Sequence, residues 1–599
     1  MSEGAARRAD LSGIVKAYDV RGTAGEDLTA EVARALGAAF VDHLGEDALV
    51  IGHDMRISSP ELAEAFSEGA VRRGATVAFT GLSSTDQLYC ASGLHRAAGA
   101  MFTASHNPAP DNGIKLCRAG ARPISRDTGL ADIRRRAEEY LDRGEIPEQG
   151  AGRREDIDTL GDYIDTVLRL APVPPGRPLR VVVDAANAMA GLTVPPLAQR
   201  LEGVEVIGLY FDLDGTFPNH EANPLDPENL RDLQAAVLAE GADLGLAFDG
   251  DADRCFVVDE TGRAVPASTI TALIAEREIA RARAAGEESP AVVANLVSSR
   301  HVQETIAAAG GRRIRSQVGH SLIKALMAQE NAVFGGEHSA HYYFRDFFFA
   351  DSGMLAALHV LAALRESDGP ASALVARHDP YAASGEINTR APDPAASREA
   401  VRAHLLARAA AEGADLEIDD VDGMTVTCWD DEGPAAGRWW LSLRSSNTEP
   451  LLRLNVEAAV PETMERIRDE VLAVVRGEPG PAGSPDPAFP AADETDAWSA
   501  TAHQDDAGAA PEAAAASAGP GDRPTPDAPE GADAMTGNDA RSGATAGASG
   551  ADIPDWVRAR IVCPHCHGAL EDRPGTLVCA SCGRVFTVEG GIPVLIPGD

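Results

Sequence analysis

Lysine is almost missing from this chain of 599 residues. There are three, Lys16, Lys115 and Lys324, against fifty arginines. Where arginine fills nearly every other cationic position, a lysine points to a need for a compact ammonium able to lose its proton. Aromatic residues are also scarce, at 5%. The run Tyr342 to Phe349, with six aromatics in eight residues, therefore stands out. A packed core strand is the favoured reading of it, ahead of a stacking surface. No apolar run is long enough to cross a bilayer. The longest, near Met354 to Leu364, is short and contains His359. Met1 to Val15 lacks an apolar stretch of the kind a secretion signal needs. Positive charge is in deficit, with 53 basic against 92 acidic residues and a net charge of −39. That argues against nucleic acid or an anionic membrane as a partner. An anionic ligand would be repelled unless its site gathered a local cluster of cations. Cys90, Cys117, Cys255 and Cys428 stand singly, as reduced thiols do. These absences together predict a soluble cytoplasmic protein, and the length predicts several domains.

What is present centres on Thr103-Ala104-Ser105-His106-Asn107-Pro108, continuing to Asn112-Gly113-Ile114-Lys115. The apolar run Gly99 to Phe102 reads as a buried strand, and Asn107-Pro108 forces a turn. A serine just past a strand end sits where open α/β sheets place ligands. Serine alone is a poor nucleophile, but it serves well if it carries a phosphoryl group to give and take back. Lys115 lies close enough along the chain to fold over it. A plain strand followed by a turn is the competing reading.

A second cluster is Asp249-Gly250-Asp251-Ala252-Asp253-Arg254, set between strand-like Leu244–Phe248 and Cys255–Val258. Three carboxylates packed together repel unless a cation joins them, and oxygen-only ligands suit Mg²⁺. An EF-hand also opens Asp-x-Asp-x-Asp, but its sixth position must be glycine and here is Arg254. A solvated acidic turn is the other alternative. The flanking apolar strands argue against it.

The serine stretch resembles the active-site loop of the α-D-phosphohexomutase superfamily, and the resemblance extends from about Lys16 to about Ala458. In that family the serine is phosphorylated and completes the metal shell. Asp249, Asp251 and Asp253 match the family's magnesium loop, so the resemblance implies Mg²⁺ held by them and Ser105. Lys16-Ala17-Tyr18-Asp19-Val20-Arg21-Gly22 resembles the N-terminal motif, whose arginine contacts phosphate. Gly336-Glu337-His338-Ser339-Ala340-His341 resembles the sugar-recognition loop, with alanine at 340 where glycine is usual. The resemblance implies that Glu337 and Ser339 read the sugar, with His320 of Val318-Gly319-His320-Ser321 beside them. It also implies that Lys115 and His341 move the hydroxyl proton and that Arg21 and Arg254 neighbour the reacting phosphate. Arg444-Ser445-Ser446-Asn447-Thr448-Glu449-Pro450 and Arg453 resemble the distal phosphate loop. Arg444, Ser446, Asn447, Thr448 and Arg453 would then hold the non-reacting phosphate, and Asn447 favours a hexose over a glucosamine substrate. Asp184-Ala185-Ala186-Asn187-Ala188 resembles a family motif with glycine at 186 and 188. If either position needs φ > 0, alanine costs about 1 kcal/mol.

The implied activity is a phosphomannomutase, with a phosphoglucomutase or dual-specificity mutase as the alternative. The implied activator is hexose 1,6-bisphosphate. A non-catalytic sugar-phosphate sensor is the remote alternative. The implied fold is α/β: three similar mixed α/β domains and a fourth α+β domain around a central cleft. The expected domains cover residues 1–150, 151–259, 260–368 and 369–476. The polar stretch Arg134–Glu148 is expected to mark the first edge.

From 477 to 551 the composition turns to Ala, Gly, Pro and acids without apolar period, the pattern of a disordered linker. Residues 477–550 carry thirteen acids against two arginines. Residues 552–599 hold Cys563-Pro-His-Cys566 and Cys579-Ala-Ser-Cys582. Two Cys-x₂-Cys knuckles read as a zinc ribbon, which metal binding would fold. With Gly591-Ile592-Pro593 the tail resembles the Trm112-like family of small zinc proteins, known as methyltransferase activators. Its near-balanced charge points to a protein partner rather than DNA.

Overall fold

The computed structural model describes residues 8–445, 451–477, 563, 569–573, 576–582, 584–589 and 592–593. It divides into two units, Met1–Asp493 and Glu494–Asp599.

The first unit is built from four sheets. In the first, parallel strands Thr76–Leu82, Ala48–His53 and Ala98–Phe102 lie side by side, and antiparallel Asp111–Arg118 and Val20–Thr23 extend one edge. Arg153–Asp156 closes the other edge, beyond the expected limit at residue 150. Its four residues, Arg-Arg-Glu-Asp, are all exposed, which suits a guarded edge. Arg134–Glu148 is not merely polar. A helix, Ala131–Arg143, buries Ile133, Ala137 and Tyr140 along one face.

The second and third sheets repeat the plan. Leu179–Asp184 pairs in parallel with Val204–Leu209 and Leu244–Phe248, and Cys255–Asp259 returns antiparallel. Ala291–Asn295 pairs in parallel with Arg312–Ser316 and Phe334–Gly336, and Tyr342–Phe344 returns antiparallel. In each of the three sheets a parallel strand feeds an antiparallel one, and the connecting loop carries a motif. These loops are the serine loop, the acidic loop and the Glu337–His341 loop. The fourth sheet is antiparallel throughout, and Trp439–Ser445 and Leu451–Ala458 flank its motif.

The first and fourth domains each have their own core. The second and third share one, which includes Val183, Leu246, Phe334 and Leu358. Its centre is the helix Gly353–Glu366, whose residues 353–364 are all buried. A helix apolar on every side must be buried on every side, and this accounts for the run near Met354. No described helix is long and apolar enough to cross a membrane. In the second unit, Leu570–Arg573, Thr576–Cys579, Val585–Glu589 and Ile592–Pro593 form a small antiparallel sheet.

Candidate active site

Ser105 and the acidic loop are 144 residues apart in sequence, yet Ser105 Oγ donates to Asp249 Oδ2 at 2.8 Å. Ser105 is 4% exposed and holds φ +53°. A non-glycine residue there carries a strain of about 1–3 kcal/mol, which its surroundings must hold. Arg56 supplies the hold. Its five N–H donors meet five acceptors: Asp54 Oδ2 at 3.2 Å and the carbonyls of Ser105, Asn107, Pro108 and Asp111 at 2.7–2.9 Å. Gly250 presses from the other side. A Cβ there would stand 2.2 Å from the Ser105 carbonyl oxygen, so only glycine lets the two loops close.

The three aspartates are buried, and their oxygens lie within 4.8 Å of one another. Lys115 Nζ donates to Asp251 Oδ2 and Asp253 Oδ2, both at 2.6 Å. Burial works to lower the Lys115 pKa, but those two carboxylates outweigh it and hold the ammonium firmly protonated. That departs from a lysine chosen to lose its proton readily. The cause is non-local, because both carboxylates come from another domain. Burial opposes ionisation of Asp251 too, yet Lys115 and the Thr85 hydroxyl hold its pKa well down. Asp249 is raised by burial, against the pull of Arg254. Asp251 Oδ1 and Asp253 Oδ1 are buried and have no hydrogen-bond donor among the described residues. Buried carboxylate oxygens facing one another in this way fit a hard divalent cation.

Arg254 is 1% exposed. Its Nε donates to Asp249 at 2.8 Å, and its Nη2 lies 3.4 Å from Ser105 Oγ and against His106 Nδ1. Burial, then Arg254 and Arg21, push His106 down to about 2, so its ring stays neutral beside the serine. Arg21 Nε pairs with Asp19 at 2.7 Å, and its buried Nη1 has no hydrogen-bond partner among the described residues.

The Glu337–His341 loop joins the acidic loop directly through a backbone bridge between Arg254 and His341. His341 Nε2 stands 3.7 Å from Asp253 Oδ1, and its Nδ1 is 3.1 Å from Ser339 Oγ. Ser339 and Tyr343 both donate to Glu337, whose carboxyl burial pushes up to about 7. Tyr343 is thus both core and site. The aromatic run is a buried strand only at Tyr342–Phe344; Phe347 is buried in the turn that follows, and Phe348 and Phe349 are half-buried. Ala340 holds φ +64° where the family has glycine. Ala186 and Asn187 are left-handed as well, at +49° and +58°, whereas Ala188 is not. Their loop supports the acidic one through Met189 N–H to Gly250 O at 3.2 Å.

Arg444 and Arg453 each reach Glu386 at 3.2 Å. Ser446, Asn447 and Thr448 lie outside the described residues, as does the side chain of His320. In the second unit Cys563, Cys579 and Cys582 bring their sulfurs within 4.8 Å, an arrangement compatible with zinc. Cys566 lies outside the described residues.

Several contributors were not singled out from sequence. Arg56 is one arginine among fifty, and nothing local marks it. Thr85 donates to Asp251 from a helix start. Lys324 had a signal, its rarity. It is 2% exposed, pairs with Asp351 at 2.6 Å and lies 3.9 Å over the Tyr89 ring. Asp351 in turn groups with Asp253 and His341.

Residues 12–143, 161–262, 267–381 and 386–474 match, in order, the phosphoglucomutase/phosphomannomutase α/β/α domains I, II and III and the C-terminal domain. The chain belongs to the phosphoglucomutase/phosphomannomutase family. It is similar to a phosphomannomutase of Salmonella montevideo, with 39% identity over 74% of this chain and 94% of the relative. It is equally similar to a protein named phosphohexose mutases in Xanthomonas campestris pv. campestris, 39% identical over 77% of this chain and 99% of the relative. Among solved structures, a phosphoglucomutase/phosphomannomutase family protein of Burkholderia thailandensis superposes with a TM-score of 0.67. That pair shares 30% identity over 79% of this chain and 99% of the other. Residues 561–591 match the Trm112p-like protein family, whose domains are generally protein-interaction modules. The chain is therefore a phosphohexomutase, an isomerase that moves a phosphoryl group within its substrate, with a Trm112-like module at its C-terminal end.

Proposed function

We propose that this mutase interconverts mannose 6-phosphate and mannose 1-phosphate through a phosphorylated Ser105. The observation that carries this reading is Ser105 Oγ at 2.8 Å from Asp249, inside a buried cluster of carboxylates and cations. In the forward step the Ser105 O–P bond breaks and a sugar hydroxyl oxygen takes the phosphoryl group. The hydroxyl proton leaves through His341, and Lys115, held as an ammonium by Asp251 and Asp253, stabilises the charge that develops. The sugar then carries two phosphates, reverses its ends, and returns the original phosphate to Ser105. Asp249, Asp251, Asp253 and the phosphorylated serine would hold Mg²⁺, which when bound neutralises charge on the transferring group. Arg21 and Arg254 stand where the reacting phosphate would lie. Arg444 and Arg453, with Ser446, Asn447 and Thr448, hold the distal phosphate. Glu337, Ser339 and His320 read the sugar. Hexose 1,6-bisphosphate activates by restoring the phosphate to an empty serine. In the C-terminal module Cys563, Cys566, Cys579 and Cys582 bind Zn²⁺, and the module meets a protein partner.

Mannose is favoured by the relatives named phosphomannomutase. A dual specificity for glucose is the second reading, favoured by the equally similar relative named for hexoses in general. Side-by-side kcat/KM on mannose 1-phosphate and glucose 1-phosphate separates them. The mechanism is tested by Ser105→Ala, which should abolish turnover and leave no phosphate on the protein by intact mass. Full activity in that variant would end it.

A further inference from the structure

Away from the serine, a cavity of about 300 Å³ opens between the third and fourth domains. Arg300, Arg313 and Arg315 line it from the third domain, and Thr425, Thr427 and Trp440 from the fourth. Two of the three guanidiniums are matched. Arg315 pairs with Asp419, and Arg300 reaches Glu304 at 3.2 Å and Asp431 at 3.5 Å. Arg313 has no carboxylate partner among the described residues. Its Nη1 donates to Gln303 Oε1 at 2.7 Å and its Nη2 to the Asn295 carbonyl at 3.3 Å, both neutral groups. Its Nε is buried and has no hydrogen-bond partner among the described residues. Of the carboxylates that line the cavity, Asp419 is taken by Arg315 and Glu417 is exposed.

We propose that this cavity is a second anion site, built for the phosphate group of a small molecule and distinct from the catalytic cleft. Arg313 is half-buried with its Nε enclosed, and a guanidinium partly withdrawn from water without a counter-charge is unfavourable, while the neighbouring arginines add to the repulsion. Burial, then Arg315 and Arg300, push Arg313 down to about 10. A phosphate dianion is the complementary charge, and the planar guanidinium edge suits two of its oxygens. Thr425 and Thr427 stand two residues apart on one strand, so their hydroxyls share the face that meets it. The site is separate from the distal phosphate arginines. Trp440 lies four residues before Arg444 on the same strand, about 13 Å along it. An anion here ties the third domain to the sheet that carries Arg444 and Arg453. Occupancy therefore sets where those two arginines stand relative to Ser105. The charge and lining of this cavity are the same whichever sugar the enzyme converts.

The test uses the full chain and two probes, inorganic phosphate and mannose 6-phosphate, followed by calorimetric titration. Arg313→Gln is the first variant. With either probe, the wild type should show one more bound anion per chain than Arg313→Gln. The probe that binds the Arg313-dependent site more tightly identifies the natural source. Equal stoichiometry with both probes in wild type and variant overturns the proposal. Should Arg313→Gln fail to fold, Thr427→Val decides. It preserves shape and should weaken the additional site severalfold, and an unchanged affinity there overturns the proposal as well.

Discussion

Replacing Arg56 by methionine tests whether the serine loop is held from behind. The substitution keeps much of the side-chain volume and removes all five donors. Four loop carbonyls and the Asp54 carboxylate lose their partner, and Asp54 is wholly buried. Breaking a buried ion pair by removing one member costs about 3–5 kcal/mol, and each orphaned buried acceptor adds about 1 kcal/mol or more. Neighbouring terms do not add fully, so a local loss of about 5 kcal/mol is expected. Ser105 would leave its left-handed conformation. A displacement of about 1 Å at a reacting atom lowers the rate about 100-fold. Two measurements check this. Hydrogen exchange across residues 103–113 should quicken, and kcat should fall by about that factor. Arg56→Lys should lie between, because an ammonium can pair with Asp54 but cannot span four carbonyls. Wild-type kcat together with unchanged exchange in Arg56→Met would refute the reasoning.

Gly250→Ala puts a methyl 2.2 Å from the Ser105 carbonyl, so turnover should fall about 100-fold, measured as kcat with the fold checked by circular dichroism. Asp86, buried and receiving hydroxyls from Ser84, Tyr163 and Ser352, is pushed up to about 6 by burial. A raised carboxyl binds more protons folded than unfolded. Its contribution is therefore full below pH about 4 and lost as pH rises through about 6, about 3 kcal/mol in all. Asp86→Asn should flatten that part of the stability profile between pH 4 and 7 in denaturant titrations, and an unaltered slope would count against the assignment. Glu337→Gln should raise the KM for hexose phosphate at pH 8, where the wild-type group is ionised, more than at pH 6, read from initial rates. Metal analysis should find one zinc per chain, and Cys582→Ser should lower that content without altering mutase kcat.

The loops that meet at the candidate site were legible because each interrupts a short apolar strand with small, polar or turn-forming residues. Leu244–Phe248 and the strand that follows it were readable from β-prone runs alone. Arg153–Asp156 was not, since an exposed edge strand of four charged residues has no apolar alternation to read. Ala131–Arg143 hid its buried face because ten of its thirteen positions dilute Ile133, Ala137 and Tyr140. The charge state of Lys115 was out of reach for another reason. It is fixed by carboxylates 136 and 138 residues away, and no local pattern reports them. Arg56 likewise acts mainly through carbonyls some fifty residues further on, with only Asp54 nearby in sequence.

The bridge between Arg254 and His341 has a mechanical consequence. Gly353 rests on the same loop, where a Cβ would come within 2.7–2.8 Å of the carbonyls of Arg254 and Ala252. The second and third domains are thus joined along one seam as well as through their shared core. The polypeptide passes once from that pair to the last sheet, just before Ala382, so a swing of that sheet against the pair would pivot there.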